Sequence, residues 1–132
     1  MEEKTYRNCF VCGEDNPTGL KLEFAYDDTS AWAEFASPQR FEGYIGVIHG
    51  GIIATLLDEA MAKVILKQGI VAVTADLQIR YRKPLPVLQT VTVRGEITLQ
   101  KTRTLHTKAV LSDAAGNVYA EGTAVYITVK HL

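Results

Sequence analysis

The chain has 132 residues, 47% of them hydrophobic, with 14 Lys and Arg against 15 Asp and Glu. That length is one domain, 1–132, and leaves no room for a second folded one, while the composition excludes a disordered chain or a disulfide-dependent miniprotein. A net charge of −1 provides no broad positive field, so neither nucleic acid nor an anionic membrane is expected as a partner, and any anion site must be local.

The opening Met-Glu-Glu-Lys-Thr-Tyr has neither the basic start nor the apolar run of a secretory leader. The uncharged stretch over 43–57 is interrupted by glycines and falls short of the about 20 apolar residues of a membrane span. A cytoplasmic location is therefore expected. Cys9-Phe10-Val11-Cys12-Gly13 supplies half of a zinc set, and completing it needs His49, His106, His131 or carboxylates. The expectation is two reduced thiols in a turn and no metal.

From Leu20 the row Leu20, Leu22, Phe24, Tyr26 alternates with polar residues, and Asp27-Asp28-Thr29-Ser30 turns the chain into a second strand over 31–35, which predicts a hairpin. The loose segment 43–48 leads to His49-Gly50-Gly51 and a run over 49–68 rich in Ala, Leu, Met and Ile, without proline, stopping at Gly69. This run is predicted as the one long helix. Its apolar residues cover most of the circumference, leaving Thr55, Glu59, Lys63 and Lys67 as a polar strip, so the helix is buried. Val71, Val73, Ala75, Leu77, Ile79 and Tyr81 form the next apolar row, opposite Thr74, Asp76, Gln78, Arg80 and Arg82. A further strand runs over 91–99, with later turns at Thr102-Arg103 and Ala115-Gly116-Asn117. One buried helix with five or six antiparallel strands predicts an α+β fold in which a sheet curls around the helix.

Two features of the helix point to chemistry. Asp58 sits at the edge of the polar strip beside Ala54, Ala62 and Ile65, either bordering solvent or serving as a carboxylate in a partly apolar cleft. The glycines at the helix start leave backbone N–H groups at the positive end of the helix dipole, suited to a polarised carbonyl or oxyanion, or simply form a tight loop. There is no G-x-S-x-G elbow, P-loop, dinucleotide fingerprint or H-E-x-x-H.

The run Phe41-Glu42-Gly43-Tyr44-Ile45-Gly46-Val47-Ile48-His49-Gly50-Gly51 through Asp58-Glu59-Ala60-Met61, followed by Ala75-Asp76-Leu77-Gln78-Ile79-Arg80-Tyr81-Arg82-Lys83-Pro84-Leu85, resembles the PaaI-like group of hotdog-fold acyl-CoA thioesterases, as do the early Cys9 to Gly13 motif, Asn16-Pro17 and Gly19-Leu20. The resemblance covers essentially the whole chain. It implies a long central helix wrapped by a curved antiparallel sheet, and hydrolysis of acyl-CoA to free acid and CoA. No cofactor is implied, because CoA is part of the substrate. Carried over by position, the Gly50 N–H polarises the thioester carbonyl and Asp58 activates water or attacks directly. His49 shapes the helix entrance, and Thr74 matches a Ser or Thr that helps hold the water, although strict alternation sets it on the face opposite Val73 and Ala75. Glu42 and Gly43 stand where the family has Gln or Asn, making Glu42 either a second acid/base group or a mark of altered activity. Related hotdog domains also act as noncatalytic acyl-CoA sensors.

Gly50 and Asp58 are eight residues apart on one helix, about 12 Å, too far to act on one carbonyl, so the site is expected at a two-fold interface, in a homodimer or, as is common in the family, a homotetramer. Arg80, Arg82, Lys83 and Arg103 are the candidate contacts for the CoA phosphates, with Lys101 and Lys108 as the fallback. The acyl group is not legible.

Overall fold

Helix α1 (Gly50–Lys67) is capped by His49 and Gln68, the two ends of the predicted run. The chain around it is given by a computed structural model that describes residues 6–132; residues 1–5, where the reading for a leader begins, lie outside them. Strands β1 (Ala25–Tyr26) and β2 (Ser30–Phe35) precede the helix with a short 3-10 turn, Gln39–Phe41. Then β3 (Ile70–Tyr81), β4 (Val91–Gln100), β5 (Thr104–Ser112) and β6 (Val118–His131) follow it. All six strands form one antiparallel sheet in the order β1-β2-β4-β5-β6-β3. The curved sheet wrapped on one helix is the hotdog arrangement that the resemblance implied. Among the described residues no helix is long and apolar enough to cross a membrane.

The helix buries Ile53, Leu56, Leu57, Ala60, Met61, Val64 and Ile65 against inward side chains of the sheet, including Val91, Val93, Leu105, Leu111 and Tyr126. Small residues set the spacing. A Cβ on Gly95 of β4 would stand 2.6 Å from the Ala60 carbonyl, so only glycine allows the helix to lie this close.

Three details differ from the sequence reading. Leu20 and Leu22 are buried as the alternation requires, but their N–H groups bond the carbonyls of Phe10 and Val11, and the β1 ladder is confined to Ala25–Tyr26. Lys63 is not on an exposed strip: it is only 4% exposed, with its ammonium 3.4 Å from the centre of the Tyr6 ring. The row assigned to β3 is broken by one extra residue, Ala75, between the pairs Thr74–Tyr126 and Asp76–Val125, whereas the shift at Val71/Ala72 leaves its extra residue, Val129, on β6. The extra residue reverses which face the side chains on its two sides occupy relative to one unbroken row, so Val73 is turned out to solvent and Thr74 faces the helix. Strict alternation fails there, and Thr74 reaches Asp58.

Candidate active site

The loop before the helix is braced on several sides. His49 N–H donates to the Phe41 carbonyl at 2.9 Å, Ile48 N–H to Leu85 at 2.8 Å and Val87 N–H to Gly46 at 3.0 Å. Gly46 has φ +87°, a conformation other residues rarely take, and its N–H donates to Glu42 Oε2 at 2.8 Å. Glu42 thus ties the loop through one carboxylate oxygen. His49 is the helix cap: its Nδ1 accepts from Gly51 N–H at 2.9 Å, which leaves the proton of the neutral ring on Nε2.

With Gly51 engaged by that cap, the Gly50 N–H has no hydrogen-bond partner among the described residues. It is a free donor at the positive end of an 18-residue helix. On the other side of the same residue, the Gly50 carbonyl accepts from the Tyr81 hydroxyl at 2.7 Å. Tyr81 closes β3 and locks the helix start to that end of the strand.

Asp58 lies two turns further along the helix, partly buried. Its Oδ1 accepts from Thr74 Oγ1 at 2.9 Å and from the Tyr126 hydroxyl at 2.6 Å. The same hydroxyl is 2.8 Å from the Asp58 backbone carbonyl. Thr74 and Tyr126 are direct partners in the β3–β6 ladder, so one register position delivers both donors. Burial, and then the Asp58 charge, hold the Tyr126 phenol well above its ordinary pKa; the phenol therefore remains a donor at neutral pH. Both donors act on Oδ1, and Oδ2 has no hydrogen-bond partner among the described residues.

Tyr126, and the bond from Tyr81 to the helix start, escaped the sequence reading. The signal for Tyr126 was a row of small residues, Ala120, Gly122 and Ala124, that ends abruptly in a large polar aromatic on the same face of β6.

The basic residues divide. Arg82 pairs with Glu121, Lys83 Nζ donates to Asn117 Oδ1 at 3.1 Å, and Arg80 is exposed beside them, all at the Tyr81 end of β3. Arg103 lies beyond the opposite end of the sheet, where its carbonyl accepts from Thr128 N–H. Arg80 faces Glu121 on β6 and Arg103 meets Thr128, so their separation is seven residues along that strand, about 23 Å. One chain does not bring the four together. Lys108 pairs with Glu96. On the other flank of the helix, Cys9, Cys12 and Glu59 form a cluster with their donor atoms within 4.8 Å of one another.

Within one chain, then, a clamped carboxylate and a free amide are present but separated along the helix. Comparison with known proteins bears on the family and the fold. Residues 45–120 match the family model of the thioesterase superfamily. The acyl-coenzyme A thioesterase THEM4 of Mus musculus is 33% identical over 94 residues, which are 70% of this chain and 40% of that protein; the chain spans less than half the length of the curated relatives it matches. The PaaI protein of the E. coli phenylacetic acid degradation operon superimposes with a TM-score of 0.80 at 18% identity, covering 85% of this chain and 82% of that one. A Streptococcus pneumoniae thioesterase protein solved with coenzyme A gives 0.79 at 22% identity, over 83% of this chain and 90% of its own. With more than half of its length matched, the chain belongs to the thioesterase superfamily.

Proposed function

We infer that the protein hydrolyses acyl-CoA thioesters at sites built by two copies of the chain. The observation that carries this reading is the Asp58 carboxylate, anchored through Oδ1 by Thr74 and Tyr126 with Oδ2 left for the substrate. In the proposed step the Gly50 N–H donates to the thioester carbonyl oxygen as negative charge develops on it. Asp58 Oδ2 takes a proton from water as the water oxygen bonds to the carbonyl carbon. The C–S bond then breaks, the sulfur leaves with that proton as free CoA, and the acid is released. THEM4 is an acyl-CoA thioesterase by name, and coenzyme A is bound to the Streptococcus pneumoniae protein; both support the substrate class.

The sheet supports the two-copy arrangement. β3 is 12 residues long and lies at the sheet edge, a row of unpaired N–H and C=O groups that a second strand can satisfy. If a second β3 pairs with it antiparallel about a two-fold axis near mid-strand, the Tyr81 end of one chain meets the Thr74 end of the other. Both side chains face the helix side, as opposed residues in such a pair must. Tyr81 holds Gly50 and Thr74 holds Asp58, so the same pairing joins Gly50 to Asp58 of the partner subunit. It also brings Arg103 of the partner subunit to about three strand spacings, roughly 15 Å, from Arg80 and Arg82, a span suited to CoA phosphates at two points. Tyr44, Ile45 and Leu88, all largely exposed, are the apolar surface that such a partner covers. Exposed Val73, Ile127 and Val129 offer an outer face for stacking two dimers into a tetramer.

The test is thiol release from short, long and aromatic acyl-CoAs by the wild type and by Asp58→Asn. Turnover of at least one acyl-CoA, lowered about 10²-fold or more by the substitution with the fold intact, supports the reading. Binding of acyl-CoA without turnover of any of them would make the protein an acyl-CoA sensor instead.

A further inference from the structure

On the flank of α1 away from the Asp58 clamp, the sequence half-motif acquires a third donor. We propose that Cys9, Cys12 and Glu59 form a binding site for a thiophilic divalent cation of the zinc class, which fastens the N-terminal segment to the helix.

Three independent features of the geometry support it. First, the spacing is close to that of a coordination shell. Tetrahedral zinc with bonds of about 2.3 Å to sulfur and about 2.0 Å to oxygen sets donor separations of about 3.8 Å between sulfurs and about 3.5 Å between sulfur and oxygen. Cys9 Sγ already lies 3.7 Å from Glu59 Oε2, and all three donor atoms are within 4.8 Å. Second, the turn that carries the thiols is built for the purpose. Val11 N–H points at Cys9 Sγ at 3.4 Å. Gly13 N–H closes on the Cys9 carbonyl at 2.9 Å, and a Cβ at Gly13 would lie 2.3 Å from Cys9 N. The chain therefore turns back tightly enough to present both sulfurs to one point, and only glycine permits it. Third, the charge balances. Two thiolates and a carboxylate around a divalent cation leave one negative charge, and the buried Lys63 ammonium beside Cys12 neutralises it. Binding releases the two thiol protons to solvent, so affinity rises with pH. A cavity of about 370 Å³ bordered by Cys12, Lys63 and Tyr26 lies on the Cys12 side of the cluster. Sequence alone could not complete the set, because Glu59 is separated from Cys12 by the first hairpin and reads as one member of a solvated strip.

The experiment uses the full chain purified without chelator or metal-affinity resin. Metal content is measured by mass spectrometry, and the metal-free protein is titrated with Co²⁺ and with Zn²⁺. The expected result is one zinc per chain, a thiolate-to-Co²⁺ charge-transfer band in the near ultraviolet that Zn²⁺ displaces, and a rise in Tm of about 5 °C or more with saturating Zn²⁺. Cys12→Ser should abolish the band and Glu59→Gln should weaken zinc binding about 10-fold or more. No charge-transfer band from the wild type, or a band and a Tm shift that survive Cys12→Ser, would overturn the proposal. The wild-type spectrum decides even if Cys12→Ser does not fold. Since every readout is metal binding or Tm, its outcome is separate from that of the thioesterase reading.

Discussion

Tyr126→Phe removes one oxygen from a side chain that is 1% exposed and leaves the aromatic packing in place. Asp58 Oδ1 then keeps only the Thr74 donor, 2.9 Å away. A hydrogen bond to a charged group contributes about 1.5–3 kcal/mol. If that interaction is fully expressed in the transition state, its loss lowers kcat by about 10- to 150-fold. In the proposed mechanism the Tyr126 bond also determines which carboxylate oxygen turns toward the substrate. The loss should therefore fall on kcat, with KM within about 2-fold of wild type, since the phenol does not reach the substrate. Thr74→Val, which removes the second donor at nearly constant volume, should act in the same direction. The double variant should fall short of the product of the two effects, because both donors serve one oxygen. Thiol release measured over a range of acyl-CoA concentrations, with thermal melts of each variant, separates the outcomes. A Tyr126→Phe protein with wild-type kcat and a lowered Tm would show that the bond only holds β6 to the helix, and the anchoring argument would fail.

Gly95→Ala places a methyl group 2.6 Å from the Ala60 carbonyl, so chemical denaturation should show a loss of about 1–3 kcal/mol; unchanged stability would mean that the helix can shift away from β4 freely. Asp27 is held at about 2, below its ordinary 3.8, by hydrogen bonds from Thr29 and Ser30 in the β1–β2 turn. In that window the unfolded chain binds the proton that the native chain does not, so the stabilisation is present above about pH 4 and is lost as pH falls toward 2. Urea midpoints of wild type and Asp27→Asn should converge over that range, and a constant difference would contradict the assignment. Arg80/Arg82/Arg103→Ala should raise KM for acyl-CoA about 10-fold or more at low salt while leaving kcat nearly unchanged; an unaltered KM moves the phosphates toward Lys101 and Lys108.

The helix was legible almost to the residue because its stop at Gly69 and its cap at His49 are local signals. The long strands were equally plain, since their period survives wherever the ladder is regular. What could not be read is where the ladder slips. The extra residue near Ala75 is invisible to a count of alternating side chains, yet it decides that Thr74 and not Val73 faces Asp58. Tyr126, 68 residues from Asp58, reaches it only through the pairing of β3 with β6, and pairing partners are not written in a single strand. Lys63 misled for a related reason: its polar side chain fits an exposed strip, but the N-terminal segment folds over it and replaces water with the Tyr6 ring. The division of Arg80 from Arg103 likewise depends on strand order.

The shared site can be tested by mixing two inactive proteins. Asp58→Asn lacks the carboxylate and Gly50→Pro lacks the free amide. Proline suits position 50: the φ of Gly50 is not among the positive values, His49 already has ψ 133° as a residue before proline prefers, and the lost N–H has no partner within the chain. In a mixed dimer one site has both groups and the other has neither. With free exchange, half of the dimers are mixed and each has one site in two, so activity should return to roughly a quarter of wild type. If both variants are folded, tagged chains prove exchange and no activity returns, then Gly50 and Asp58 do not meet across an interface and the proposed mechanism is wrong.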